Sequence, residues 1–155
     1  TKDGIVLQSE YFDKQTASID NTGYKIVPRG YFTYRSMSDT GSFTFNQQNL
    51  INIGVVSPAY PVFKCNSKIV ERFLEITLNN SPEIIQQILM LKEGGTRLAL
   101  GFNKFKKLYI SLPCLEEQTK IANFLSSIDS KIELVQKQLK SSKEFKKSLL
   151  QQMFI

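Results

Sequence analysis

The stretch from residue 116 to residue 155, EEQTKIANFLSSIDSKIELVQKQLKSSKEFKKSLLQQMFI, repeats apolar residues at alternating spacings of four and three, with no proline or glycine. This period predicts one long α-helix that carries a coiled-coil stripe. A helix of about 37 residues would extend roughly 55 Å, which is longer than a domain of this size is wide, so we expect it to project. The alternative is an amphipathic helix that folds back on its own domain.

The stripe needs apolar side chains from outside the local fold to cover it, because soluble monomers rarely expose a row of this length. Eight of its ten core positions are apolar, and the other two are Ser142 and Lys146. Pairing as an antiparallel coiled coil is expected. The predicted helix-pairing interface consists of Ile121, Leu125, Ile128, Ile132, Val135, Leu139, Leu149 and Met153.

Length and composition suit one ordinary core, since the chain has 155 residues of which 41% are hydrophobic. We expect a globular domain at residues 1–113 and the helical segment at residues 114–155. Lys and Arg number 20 against 14 Asp and Glu, and the net charge of +6 favours a polyanionic partner without requiring one. Cys65 and Cys114 are expected to be small core residues. No membrane span or leader is visible, which predicts a cytoplasmic protein.

Composition also excludes several classes of catalytic site. The chain contains no histidine, which removes Ser-His-Asp and Cys-His nucleophiles and every histidine-ligated metal site. It has no G-x-x-x-x-G-K-[ST] phosphate loop, and Gly94-Gly95 cannot replace one. Glu71 and Glu75 share a predicted helix face without a third ligand, so a solvated face is the simpler interpretation. We expect no enzymatic activity, no catalytic residue and no metal site.

Short elements are predicted before the long helix. Residues 25–63 are rich in β-branched and aromatic residues and are interrupted by proline and glycine, a pattern typical of short strands with tight turns. Ser67 is placed to cap a helix that carries residues 69–77. Residues 81–83, Ser-Pro-Glu, supply a cap, an N1 proline and a first-turn acid for a second helix over residues 84–91.

The second short helix is expected to end at Gly94-Gly95, because glycine accepts the left-handed conformation of a helix terminus. Residues 98–112 predict a strand that stops at Pro113, and an extended backbone would place Lys104 and Lys106 on one face. The predicted fold class is therefore α+β: a globular β-rich domain with short helices, followed by one long C-terminal helix.

Several motifs resemble the specificity subunit of Type I restriction–modification enzymes. The most specific is LPCLEEQTKIANFLSSIDSKIEL at residues 112–134, together with KKSLLQQMF at residues 146–154. The turn at residues 95–97, Gly-Thr-Arg, is similar too. Gly30 with Tyr34, and VSPAYPVFK at residues 56–64, resemble the strand region of the family's target recognition domain.

The resemblance implies a non-catalytic subunit that binds double-stranded DNA. Family members usually carry two target recognition domains, separated by two long helices that pack antiparallel, and each domain recognises one half of a split DNA site. This chain resembles the C-terminal half of such a subunit or a natural half-length version, so its helix is expected to pair with a second recognition half or a second copy. Methyltransferase (modification) subunits and a motor-nuclease (restriction) subunit are the implied partners. S-adenosylmethionine, ATP and Mg are expected only on those partners, and no cofactor in this chain.

Candidates for DNA contact lie at turns of the β-rich region and in basic segments. Residues 29–36 combine guanidinium, phenol and hydroxyl groups that can bond base edges or phosphate. The predicted DNA-binding residues are Arg29, Tyr31, Tyr34, Arg35, Ser36, Lys64, Thr96, Arg97, Lys104, Lys106 and Lys107. Strand alternation would send about half of the first cluster inward. Arg97 could instead bind helix C-terminal carbonyls, and the last three lysines could form a solvated strand edge.

Two other functions compete with DNA recognition. A scaffold protein without DNA affinity would use the coiled coil only to join subunits. A nuclease would need a cluster of acidic residues that binds a divalent metal, and none is visible in the sequence. DNA affinity with a steep salt dependence would separate the first alternative from DNA recognition.

Overall fold

A computed structural model describes residues 4–11, 22–93 and 97–154. Within these ranges the short elements all precede one long helix. Their bounds are α1 (Gln8–Tyr11), β1 (Lys25–Pro28), β2 (Phe32–Tyr34), β3 (Met37–Ser38), β4 (Phe45–Gln47), β5 (Ile53–Val56), β6 (Val62–Phe63), α2 (Glu71–Asn80), α3 (Pro82–Leu91), β7 (Leu98–Ala99), α4 (Phe102–Phe105) and α5 (Leu115–Met153). The predicted α+β fold class, with a long C-terminal helix, is confirmed.

The strands form three small antiparallel sheets. β2 lies between β4 and β6, β1 pairs with β5, and β3 pairs with β7. In the central sheet Phe32 faces Gln47 on one side and Phe63 on the other. The first six strands lie in the region where β-branched and aromatic residues predicted short strands. β7 joins them from much later in the chain, and its pairing with β3 brings residues 37–38 beside residues 98–99.

Aromatic rings from the central sheet form the middle of the core. Phe32, Tyr34 and Phe45 are fully buried and cluster with apolar residues of α2 and α3. The rings of Tyr34 and Phe45 lie 4.7 Å apart between centroids. The hydroxyl of Tyr34 donates a 3.0 Å hydrogen bond to the backbone oxygen of Leu100. Burial raises the pKa of Tyr34, so this phenol stays protonated and acts as a donor.

The two short helices differ in how well the sequence predicted their starts. α3 begins at Pro82 in the N1 position, as expected, although Ser81 makes no side-chain capping bond. α2 begins at Glu71 with Val70 as its N-cap, so the assignment of Ser67 as the cap was wrong. The reason is a turn that begins at Asn66 and ends at Ile69, in which the side-chain oxygen of Asn66 accepts the backbone N–H of Lys68 at 3.0 Å. α3 ends at Leu91, with Lys92 as an extended C-cap, so the prediction that Gly94-Gly95 ends this helix was wrong; the two glycines themselves lie outside the described residues.

The predicted strand over residues 98–112 was also wrong. Only Leu98–Ala99 is extended as a strand, and α4 follows at Phe102–Phe105. Phe102 and Phe105 are three residues apart, and both rings contact the ring of Phe63, at 6.4 Å and 4.8 Å between centroids. One helical turn places residues at this spacing on the same side, whereas a strand would place them on opposite faces.

α5 is a single helix of 39 residues, about 58 Å long at 1.5 Å per residue. It begins one residue after the predicted segment boundary at residue 114. Its first turns pack against α2, where Gln118 and Ala122 are buried. Every described residue from 127 to 154 is exposed, so most of the helix projects from the globular part.

Gln118 joins the start of this helix to the globular part through one buried amide. The residue is 1% exposed. Its Oε1 accepts the backbone N–H of Val70 at 2.8 Å, while its Nε2 donates to the backbone oxygens of Lys68 at 3.1 Å and Pro113 at 2.9 Å. The side-chain oxygen and both N–H groups of the amide are therefore used, and the N-cap of α2 is held by a residue of α5.

Arg72 of α2 makes a second bridge to α5. Its Nη2 lies 2.7 Å from Oδ2 of Asp129, and its Nε donates to the hydroxyl of Ser126 at 3.2 Å. Its Nη1 lies 2.6 Å from Oε2 of Glu75 on its own helix. The bridge fixes how α2 crosses the fourth turn of α5.

The two cysteines have different surroundings, and both are free thiols. Cys65 is half-buried against the core, and burial, together with the nearby charge of Glu71, raises its pKa to about 11. Cys114 is exposed as the N-cap of α5. The expectation of a core position is therefore wrong for Cys114, because the chain enters the helix on the surface.

Replacing Gln118 with alanine should lower the free energy of unfolding by about 1–3 kcal/mol, because the bonded groups of Val70, Lys68 and Pro113 would lose their partner. Gln136→Ala is the matched control, since Gln136 is exposed on the same helix and should change stability by less than about 0.5 kcal/mol. Urea unfolding followed by circular dichroism at one fixed chain concentration measures both. Equal stability of the two variants would contradict the assigned role of Gln118.

Candidate nucleic-acid interface

Arg35 and Arg97 meet at one carboxylate on the surface of the globular part. Ser38 pairs with Leu98 in the β3–β7 ladder, so Asp39 and Arg97 occupy the next positions of the same antiparallel pair. Nε of Arg97 lies 3.0 Å from Oδ1 of Asp39, and Nη1 of Arg35 lies 4.0 Å from Oδ2. All three side chains are more than half exposed. The structure thus brings together two of the predicted DNA-binding arginines, and adds an aspartate.

The turn that carries Asp39 is held in place by Gly41. This glycine is buried and has a φ of +80°, in the left-handed region. A Cβ atom added there would lie 2.9 Å from Cδ1 of Leu98 and 3.0 Å from Nζ of Lys92. The close approach packs the turn directly against β7, which limits how far Asp39 can move from Arg97.

Arg29 lies in a different set of contacts, at the end of β1. It is exposed, and its Nη2 donates to the backbone oxygen of Asn49 at 2.7 Å. Tyr31 is half-buried two residues later, and Nζ of Lys64 lies 5.9 Å from the centre of its ring. Arg29 and Lys64 are both accessible to a polyanion, and Lys64 also makes a cation–π contact with the ring of Tyr31.

Two of the DNA-binding residues predicted in the segment 29–36 have structural roles. Tyr34 is 1% exposed and lies in the core, so its assignment as a DNA contact was wrong; the inward face of β2 takes this ring. Ser36 is half-buried, and its hydroxyl donates a 2.6 Å hydrogen bond to the backbone oxygen of Ala59. That bond ties the loop before β6 to the segment between β2 and β3.

The three lysines near α4 do not form one basic edge. Nζ of Lys104 lies 2.8 Å from Oε1 of Glu93, and the hydrogen bond from this lysine lowers the pKa of the glutamate. Nζ of Lys106 lies 5.1 Å from the ring centre of Phe102, and Lys107 is exposed. The expected common face of Lys104 and Lys106 was wrong, because the backbone there is helical rather than extended.

The sequence did not predict Asp39 as part of the site, and Thr96 lies outside the described residues. Arg35, Arg97 and Asp39 are called the arginine cluster below. An open cleft of about 690 Å³ adjoins this cluster and is lined partly by Arg35, Asp39 and Thr40. In the sequence Asp39 lies within Ser-Asp-Thr-Gly, a pattern that indicates a turn but no contact with DNA. Its pairing with Arg97 depends on contact between distant segments.

The predicted helix-pairing stripe divides into two parts. Ile121 and Leu125 are half-buried in the region that packs on α2, whereas its later members are exposed. These are Ile128, Ile132, Val135, Leu139, Leu149 and Met153. Large apolar side chains outside the stripe are exposed as well: Phe124, Leu134, Phe145, Leu150 and Phe154. The uncovered apolar surface is therefore wider than a single coiled-coil seam.

Among residues 4–11, 22–93 and 97–154, no group of three or more cysteine, aspartate or glutamate side chains is placed to hold a metal ion. None of the helices in those ranges is both long enough and apolar enough to cross a membrane.

Comparison with known families gives one match that covers most of the chain. The family described as Type I restriction modification DNA specificity domain matches residues 8–142. Comparison with curated proteins gave no match. The matched range includes the whole β-rich region, the arginine cluster and α5 as far as residue 142.

Replacing Gly41 with alanine should lower the free energy of unfolding by about 1–3 kcal/mol, because a side chain at positive φ is strained and the new Cβ would press against Leu98. Gly101→Ala is the control: Gly101 has a φ of −67° and open space around it, so little change is expected. Thermal unfolding of both variants gives the comparison. A Gly41 variant as stable as the control would show that the turn tolerates displacement.

Proposed function

The chain belongs to the Type I restriction modification DNA specificity domain family, and from this premise we propose that it recognises one half of a two-part DNA target. Members of this family recognise DNA sequence and are non-catalytic modules of restriction–modification systems.

The observation that best supports this proposal is the exposed pair of Arg35 and Arg97 across the β3–β7 ladder. An arginine side chain presents planar donors that bind guanine O6 and N7, or a phosphate, in a bidentate manner. Arg29 and Lys64 add exposed positive charge in the same β-rich region. We assign base or phosphate contacts to these four residues, with Tyr31, Thr96, Lys106 and Lys107 as further candidates.

The uncovered part of α5 is proposed to bind a second long helix in antiparallel orientation. That helix would come from a second recognition half or from a second copy of this chain, which would place two recognition domains at opposite ends of the pair. The additional apolar side chains outside the stripe would suit a further helical partner, and we assign that role to the methyltransferase subunits. Together with the restriction subunit they would hold S-adenosylmethionine, ATP and Mg in a cytoplasmic complex.

The alternative function, a coiled-coil scaffold without DNA affinity, is disfavoured by the family to which the chain belongs. Such a protein would use α5 in the same way, but it would not bind DNA. The exposed arginines of the β-rich region favour DNA recognition over this alternative, because a scaffold has no need for bidentate donors there.

Alanine variants of Arg29, Arg35 and Arg97 test the DNA-binding face. An arginine that contacts a base should lose about 1–3 kcal/mol on the cognate site and relax one position, whereas a phosphate contact should weaken all sequences and lower the salt slope by about one. Fluorescence titrations of the assembled methyltransferase complex at two salt concentrations measure both effects. Lys137→Ala, exposed on the projecting helix, is the control. If all three arginine variants match the control, the DNA-binding face is elsewhere.

The double variant Ile128→Lys, Ile132→Lys tests the helix-pairing surface. It should turn a self-associated chain into a monomer, because two charges would enter the apolar seam. Ser130→Lys with Ser141→Lys adds the same charge at exposed polar positions and should leave the association unchanged. Sedimentation velocity gives the oligomeric state of each. A wild-type chain that is monomeric at tens of micromolar would contradict self-association.

A further inference from the structure

We propose that Asp39 is a specificity-determining residue, which competes with DNA phosphates for Arg35 and Arg97 and matches the major-groove edge of one G·C base pair. This inference rests on the proposed function, since it concerns how the same arginines choose between cognate and unrelated DNA. The carboxylate lies 3.0 Å from Arg97 and 4.0 Å from Arg35, so it is within ion-pair distance of both guanidinium groups.

The charge of Asp39 opposes binding to the DNA backbone. Without it, two exposed guanidinium groups would present two positive charges to any phosphate, and backbone contacts carry no sequence information. With it, the cluster carries one net positive charge, and a phosphate that approaches Arg97 also approaches the carboxylate. The aspartate therefore weakens binding to all sequences. The loss of affinity is smallest for a sequence that offers the carboxylate a hydrogen-bond donor.

A G·C base pair offers such a donor beside two acceptors. Guanine presents O6 and N7 in the major groove, and cytosine presents its N4 amino group on the same edge. Arginine is suited to the guanine acceptors, and a carboxylate accepts from the cytosine amino group. Oδ2 of Asp39 is 4.0 Å from Arg35, beyond hydrogen-bond distance, so this oxygen can accept a bond from a base.

The position of Asp39 is fixed well enough to act in this way. It follows Ser38, which is buried in β3, and the hydroxyl groups of Ser38 and Thr40 lie 3.3 Å apart. Gly41 packs the turn against Leu98 of β7. These contacts hold the backbone of the turn beside β7, so the carboxylate of Asp39 and the donors of Arg97 are presented side by side.

The test compares Asp39→Asn with Glu133→Gln in the complex of the full chain with its methyltransferase subunits. Both variants remove one negative charge, but Glu133 is exposed on the projecting helix. Affinities are measured by fluorescence titration on the duplex that the wild-type complex selects from a randomised library and on an unrelated duplex. Asp39→Asn should bind the unrelated duplex about 2- to 10-fold more tightly and discriminate less between the two. Glu133→Gln should match the wild type.

A second measurement tests the base contact itself. Selection from the same library with Asp39→Asn should relax one G·C position of the recognised half-site and leave the others unchanged. Circular dichroism melting checks that the variant folds as the wild type does. If Asp39→Asn matches Glu133→Gln on both duplexes and selects the same site as the wild type, the inference is overturned and the proposed function stands. If the wild-type complex shows no sequence preference, the proposed function fails, and the inference fails with it.

Discussion

The buried amide of Gln118 is the interaction on which the rest of the arrangement depends. It accepts one backbone N–H from the start of α2 and donates to two backbone oxygens, in the segment before α2 and the segment before α5. Among uncharged side chains only glutamine and asparagine offer an acceptor and two N–H donors at one end, and asparagine is one methylene shorter. Arg72 then adds charged contacts farther along α5. These contacts hold the first turns of α5 against α2, and so join the helix to the globular part that carries the arginine cluster.

A second constraint connects the core to the surface that carries the arginines. Tyr34 fills the centre of the aromatic cluster and donates to the backbone of Leu100, while the backbone N–H of Leu100 donates to Ser36 at 2.8 Å. These bonds hold the segment after β2 against the segment after β7. The β3–β7 ladder, and with it the contact between Asp39 and Arg97, follows from the same alignment. Tyr34, which was expected to contact DNA, thus helps to position the arginines that are proposed to contact it.

The sequence predicted the elements whose residues indicate their structure locally. It did not predict the elements and contacts that depend on residues far away in the chain. The long helix and α3 could be predicted because an apolar period and an N1 proline act within one element. α4 was missed because Phe102 and Phe105 resemble strand residues until the position of Phe63 is known. Ser67 is a suitable cap by its local sequence, but α2 begins only at Glu71, and the backbone N–H of its N-cap Val70 is bonded by Gln118 from a distant part of the chain. Asp39 could not be assigned, since nothing near it in sequence indicates that Arg97 lies opposite.

The bridge from Arg72 to Asp129 also determines the mechanics of the projecting helix. Beyond Asp129 about 24 residues of α5 extend without support from the globular part, which makes a lever of roughly 36 Å. A tilt of about 5° at the bridge would displace the far end by about 3 Å, close to the rise of one base pair. A small change of angle at the bridge would therefore be amplified at the far end of α5, and a partner that bound along the helix would suppress it.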